Sequence, residues 1–272
     1  MKIKNVLSTA FLCSASALTL FSCSKEQEAV APATQEASIS QTVISQIKDM
    51  GLTTQDIQRV DGGYLVEGDI VITDENLASK PDYQMLRVGD QEQYRTSNLV
   101  SVGSGRTVSI RVSTALPSAY VTATDELIRR YNAQGLLIRF TRVTSGGSIV
   151  LNPSPTGASY LASAGFPSGG NPYNQVLVNV GAIGTANAST YIATILAHEV
   201  GHCIGFRHTD YMDRSYSCGG AFTNEGASTV GAIHIPGTPT TASAGSWMLA
   251  CVGSGQNRPF TSSDVTALRY VY

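Results

Sequence analysis

The sequence predicts an α/β (α+β) fold, a mixed sheet layered with helices, and three observations carry that prediction. Apolar residues alternate at Val108, Ile110 and Val112 and again at Val176, Val178 and Val180, the period of strands with one buried face. Between these runs stands a helical pattern, opening at Pro117 or Ser118, continuing through Tyr120, Leu127, Ile128 and Tyr131, and stopping at Gly135. The chain of 272 residues is 42% hydrophobic and only 14% charged, which excludes a coiled coil and wholesale disorder. Strand and helix therefore interleave around a core of on the order of 165 residues.

Taken in order, the chain opens on an address. Lys2 and Lys4 precede an uncharged stretch from Val6 to Ser22, the pattern of a secretory signal. The stretch closes on Leu20, Phe21, Ser22 and Cys23, which resembles a bacterial lipobox. That resemblance implies a lipoprotein signal over 1–22 and lipid on Cys23, hence a membrane anchor without a spanning helix. An ordinary signal cut near Ala15 or Ala17 is the alternative. Residues 23–42 are mostly polar or small, as in a solvated tether.

Residues 43–104 read as a small module plus connector. Val43 to Met50 has helical spacing, and the bursts Tyr64–Val66 and Ile70–Ile72 flank Glu67-Gly68-Asp69 as strand, turn, strand. From Thr73 to Gly105 the sequence shows no pattern. Residues 105–272 form the larger domain. Beyond the elements above it contains strands over Leu136–Val143 and Ser148–Leu151, then glycine-rich loops from Pro153 to Pro172. A helix capped by Ser189 or Thr190 runs from Tyr191 to Ile204 and ends at Gly205. A long loop region covers 206–260. A final helix, capped by Ser262 or Ser263, carries Val265, Leu268, Val271 and Tyr272.

With 18 basic and 20 acidic residues the net charge is −2, which argues against nucleic acid as a partner. Apart from the N-terminal two dozen residues, no apolar run is long enough to cross a bilayer. Nothing calls for an oligomer, so a monomer is expected. Of the cysteines beyond Cys23, Cys218 and Cys251 sit in loop-like sequence and are the favoured pair. Cys203 lies in an apolar helical run and reads as a buried small hydrophobe.

Three of the four histidines, His198, His202 and His208, crowd into His198-Glu199-Val200-Gly201-His202-Cys203-Ile204-Gly205-Phe206-Arg207-His208. Positions four apart share a helix face, so His198 and His202 can present two imidazoles to one ion. Gly205 lets the chain turn back and offer His208 as a third ligand. Three nitrogens leave one position open, the mark of a catalytic Zn2+ site. Glu199, beside the first ligand, can take a proton from water whose pKa the ion lowers and pass it to a departing amine.

This run resembles the metzincin zinc-binding consensus and, with Thr209 and Asp210 following, most of all the bacterial HEIGH-motif metallopeptidases. The resemblance implies a zinc endopeptidase acting on protein or peptide substrates. It implies a mixed sheet whose edge strand binds substrate, with Gln175–Val180 as the candidate, and a methionine turn beneath the metal, for which Ser246-Trp247-Met248 is suited. Where some metzincins carry an oxyanion-stabilising tyrosine, this chain has Ala250, leaving Tyr211 or Tyr216 as substitutes. Asp210 is either an acceptor orienting a ligand imidazole or a loop residue. Asn224-Glu225-Gly226-Ala227-Ser228 resembles the stretch that supplies a glutamate ligand in thermolysin-like enzymes, but glycines break the helix this needs, so His208 is preferred; His234 is expected to be structural. Finally, Val66-Glu67-Gly68-Asp69-Ile70 resembles the astacin pro-domain segment whose aspartate ligates the metal. Asp69 is thus either the residue that keeps the enzyme latent or part of a plain turn. The rival to the peptidase reading is a non-catalytic zinc-containing envelope lipoprotein, against which the presence of Glu199 argues.

Overall fold

The computed structural model describes residues 39–50, 52–78, 93–225, 232–239 and 241–272; the signal and nearly all of the tether lie outside them. Residues 39–272 make one compact unit. It opens with helix α1 (Gln41–Asp49), strands β1 (Gln58–Val60), β2 (Gly63–Val66) and β3 (Ile70–Thr73), and a short helix α2 (Asp74–Ala78). After β4 (Tyr94–Arg95) come β5 (Arg106–Val112), α3 (Ser118–Asn132), β6 (Ile138–Val143), β7 (Ile149–Pro153), β8 (Ala162–Gly165) and β9 (Gln175–Val178). The chain continues through α4 (Val180–Ile183), α5 (Ser189–Cys203), α6 (Ser215–Cys218), β10 (Ile233–His234) and α7 (Ser262–Val271).

Among the described residues, eight strands form one mixed sheet in the order β1-β2-β3-β8-β9-β7-β5-β6. The α/β class read from the sequence is the architecture observed. Strands β6, β5, β7 and β9 pair parallel in that order, β8 is antiparallel to β9, and β3 pairs parallel with β8 through Ile70↔Ala164 and Val71↔Gly165. The strands expected in a module of their own thus extend the main sheet. Two short strands and one helix bury too little apolar surface to stand alone.

Helices α3 and α5 pack on each other and on the sheet around Ile110, Leu127, Tyr131, Ile149, Val176 and Leu196, all fully buried. A second apolar cluster joins Ile47 of α1 to Val66, Ile70, Ile72 and Phe166. Tyr131 donates to the Ala197 carbonyl at 2.8 Å, fixing α5 from α3.

Several expectations need correction. Gln175–Val180 is no edge: β9 is enclosed between β7 and β8, and alternation cannot distinguish an inner strand from an outer one. The stretch read as glycine-rich loop contains β8, whose residues Ala162, Ser163, Ala164 and Gly165 lack β-forming side chains yet are all buried. Helix α5 is capped at Ala188 without a side-chain hydrogen bond, and α7 at Thr261, which forms a capping box with Asp264.

Candidate metal centre

Helix α5 is enclosed on every side, each residue from Tyr191 to Cys203 being buried, so it runs through the core. Its last turns carry His198, Glu199 and His202. The Nε2 atoms of His198 and His202 lie 3.0 Å apart. Gly205, at φ +107°, then reverses the chain; a Cβ there would lie 2.8 Å from Leu99 and 2.9 Å from the Asn98 carbonyl. The reversal returns His208, whose ring centroid lies 4.9 Å from that of His202 and 5.3 Å from that of His198. A ligand atom from each of the three histidines and from Asp69 falls within 4.8 Å of all the others.

Hydrogen bonds on the far side of each ring set its tautomer. His198 Nδ1 donates to the Trp247 carbonyl at 2.9 Å and His202 Nδ1 to the Phe206 carbonyl at 2.8 Å. His208 Nδ1 meets Glu225 at 3.0 Å. With each Nδ1 acting as donor, the Nε2 lone pairs are left for the common centre. The turn at Trp247-Met248 lies directly under the helix: a Cβ on Gly201 would come within 2.5 Å of the Met248 sulfur. This close approach explains the glycine between the two helical histidines.

Asp69 closes the fourth side. Its Oδ2 is 3.1 Å from His208 Nε2 and 3.5 Å from His198 Nε2. Burial works against ionisation of Asp69, but the charge on His208 and hydrogen bonds from His198 and His208 outweigh it and hold the carboxyl well below its usual range. Burial likewise opposes charge on His208, yet Asp69 and Glu225 raise it well above an ordinary histidine. Positive charge is therefore favoured between these carboxylates, and a divalent cation satisfies the same preference by displacing protons. Burial, aided by neighbouring imidazoles, keeps His202 well below its ordinary value and so neutral.

Glu199 is buried beside this centre, and its Oε2, like Asp69 Oδ1, has no hydrogen-bond partner. Burial, then the charge of Asp69, pushes its carboxyl well above the usual range. Two orphaned carboxylate oxygens, on Asp69 and on the neighbour of His198, and three convergent imidazoles fit a metal and the water chemistry beside it. A cavity of about 210 Å³ opens alongside, bounded by His198, Glu199, Tyr160, Ile195, Leu249 and Arg258.

Other residues singled out in the sequence fall as follows. Cys218 and Cys251 are bonded, and Cys203 is free and buried. Asp210 touches no imidazole: it accepts from Ser217 at 2.5 Å and from the Ala250 backbone at 2.9 Å, tying the 210–218 loop to the methionine turn. Glu225 replaces no histidine but supports one, through the far nitrogen of His208. Tyr216 is exposed, and Tyr211 packs edge-on to Tyr94 and beside Arg207. The tyrosine bordering the cavity with Glu199 is Tyr160, which sequence reasoning missed because it stands in a loop without pattern. His234 bonds Thr238 at 3.0 Å, away from the centre.

A histidine pair one helical turn apart, a third histidine after a glycine reversal and an adjacent buried glutamate make up the long zinc-peptidase signature. A family model described as dual-action HEIGH metallo-peptidase matches residues 64–272, and the chain belongs to that family. Zinc is the ion that this family and this donor set call for. The match begins at Tyr64 and so takes in Asp69 as well as the histidines.

Among solved structures, myroilysin is similar at 15% identity over 39% of this chain, with a TM-score of 0.30. A second myroilysin structure gives 16%, 39% and 0.29. High choriolytic enzyme 1, a hatching enzyme zinc-protease from the medaka fish Oryzias latipes, gives 16% identity over 64% of this chain and 92% of its own, with a TM-score of 0.33. The chain spans half the length of the first myroilysin structure and 45% of the second. No curated protein sequence matches it.

Proposed function

We propose that this chain is a zinc endopeptidase of the metzincin type, built as a latent precursor. The observation that carries the reading is the convergence of three Nε2 atoms on a point whose remaining side is filled by Asp69, with Glu199 buried alongside. Zinc held by His198, His202 and His208 would polarise a peptide carbonyl and acidify water. Glu199 is the general base and acid: it accepts a proton from the attacking water and delivers it to the amine that leaves. Its unsatisfied Oε2 supplies the acceptor.

Latency follows from β3. The segment leading into it brings Asp69 to the centre, and β3 itself covers the edge of β8. An extended peptide can add to a free sheet edge by backbone hydrogen bonds, so the same segment blocks both the metal and the substrate strand. Cleavage between about residues 75 and 105 would release it. Among the described residues no helix is long and apolar enough to cross a membrane. We further propose that lipid on Cys23 anchors a monomer to the cell envelope, with residues 24–42 as tether.

The test is bound zinc and casein hydrolysis for cleaved wild type and cleaved Glu199→Ala. Zinc retained by both, with hydrolysis lost only in the variant, is expected. Equal hydrolysis would remove Glu199 from the mechanism, and no hydrolysis by either would favour the non-catalytic lipoprotein.

A further inference from the structure

Two guanidiniums line the cavity beside His198 and Glu199, and their charges are answered differently. Arg214 has Glu225 at 3.0 Å from its Nε. Arg258 forms no ion pair among the described residues. Its Nη1 donates to the Cys251 carbonyl at 2.8 Å and its Nη2 to Gln256 Oε1 at 3.1 Å, both neutral acceptors. Its Nε is buried without a hydrogen-bond partner. Burial holds the pKa of this guanidinium below that of an ordinary arginine. Asp210, whose charge acts the other way, has its oxygens engaged by Ser217 and the Ala250 backbone. The carboxylates on the cavity leave Arg258 unmatched as well, since Asp69 is paired with His198 and His208 and Glu199 stands beside them. A cation withdrawn from water without an anion is costly, and an anion that joins it recovers that cost.

Arg258 is also held in place. Its backbone N–H donates to Thr194 Oγ1 on α5 at 2.9 Å, and its carbonyl accepts from Arg130 Nη1 on α3 at 3.3 Å. The carbonyl that its side chain grips belongs to Cys251, which is bonded to Cys218. A guanidinium fixed in this way loses little freedom when a ligand arrives. Its fork of N–H donors and its charge favour a carboxylate over a neutral group. The same cavity is walled by the apolar Leu161, Ile195, Leu249 and Val252. An entering side chain therefore needs an apolar stem to meet these walls and an acid at its tip to meet Arg258. Glutamate has both, aspartate has a shorter stem, and lysine would bring a second cation.

We propose that Arg258 makes this cavity an acid-selective substrate pocket, which takes the glutamate side chain of a residue flanking the scissile bond. The proposal names the substrate class of the endopeptidase site and rests on that reading. Glu199 fixes the place: it serves the bond under attack and borders the cavity, so the side chain that enters belongs to a residue next to that bond. Arg258 acts on selectivity and takes no part in proton transfer.

The test uses the zinc-loaded chain cut between residues 75 and 105 and two sets of peptides. One set carries glutamate, aspartate, glutamine or lysine on the amine side of the scissile bond, and the other carries the same residues on the carbonyl side. In one of the two sets, wild type should cleave the glutamate peptide with a kcat/KM roughly tenfold or more above that of its neutral isostere glutamine. Aspartate should fall between them and lysine lowest, and the set that responds identifies the side. Arg258→Met should bring the glutamate-to-glutamine ratio to about one, and Arg258→Lys should retain part of it. Arg258→Glu should reverse the order of glutamate and lysine, an exchange that a merely structural role would not produce.

Ratios near one in both sets with wild type would overturn the proposal, whether or not the variants fold. So would an undiminished ratio in Arg258→Met, which would assign the selectivity to another residue. Cleavage of no peptide would refute the endopeptidase reading, and fluorescence anisotropy of the same labelled peptides would then decide the pocket. Roughly tenfold tighter binding of the glutamate peptide than of the glutamine peptide, lost in Arg258→Met, would support it. Equal binding, or none, would overturn it.

Discussion

His198 and His202 stand on a helix whose surroundings are almost wholly apolar, whereas His208 and Asp69 stand on loops held by charge. Around the first pair lie Tyr131, Leu196, Val200, Trp247 and Met248, all buried. Around the second lie Arg207, Arg214, Glu67 and Glu225, linked by ion pairs of 2.8 to 3.7 Å. Apolar packing is indifferent to the loss of one distant segment, but a charge network must be rebalanced when a member leaves. If the segment bearing Asp69 and Glu67 leaves on activation, as proposed above, the contrast predicts that His198 and His202 keep their positions.

The largest effects should come from breaking each half at its centre. Trp247→Ala empties a fully packed site beneath α5 and should cost about 3–5 kcal/mol of stability, measured by urea unfolding. Arg207→Met strands Glu67 without its buried cation and should cost about 3–5 kcal/mol in the full-length chain. Adding Glu67→Gln should recover part of the Arg207 loss and none of the Trp247 loss, which separates the two kinds of support. A smaller effect is expected at their junction. Gly201→Ala places a methyl against the Met248 sulfur and should cost about 1–3 kcal/mol through overpacking, with helix propensity acting in the opposite direction.

The smallest effect lies at a partly exposed ion pair on α3, outside both groups, and serves as their control. Hydrogen bonds from Arg129, then Arg130, hold Glu126 down to about 2. A carboxyl depressed in the folded state stabilises above its unfolded value and loses that contribution as pH falls toward 2. Glu126→Gln should therefore cost about 1 kcal/mol or less at neutral pH, with the difference from wild type fading between pH 4.5 and 2.

The same contrast explains how far the sequence could be read. Helix α5 and its histidines were legible because a four-residue spacing and an apolar run are local signals, and so was the alternation of β5. The charged half was not. Arg207 and Glu67 are 140 residues apart, and nothing in either neighbourhood names the other. Glu225 drew attention only through a resemblance that implied the wrong role. Strand β8 escaped notice because it is made of small residues, and with it the true partner of β3. Asp69 was visible as one of two alternatives, and its place 3.1 Å from His208 Nε2 favours the ligand over the plain turn.

Casein hydrolysis by the zinc-loaded chain in three forms bears most directly on the latent centre: uncleaved wild type, uncleaved Asp69→Ala, and wild type cut between residues 75 and 105. The uncleaved wild type should be silent, the cut chain fully active, and Asp69→Ala intermediate because β3 still covers β8. Hydrolysis by uncleaved wild type equal to that of both other forms would show that Asp69 closes nothing.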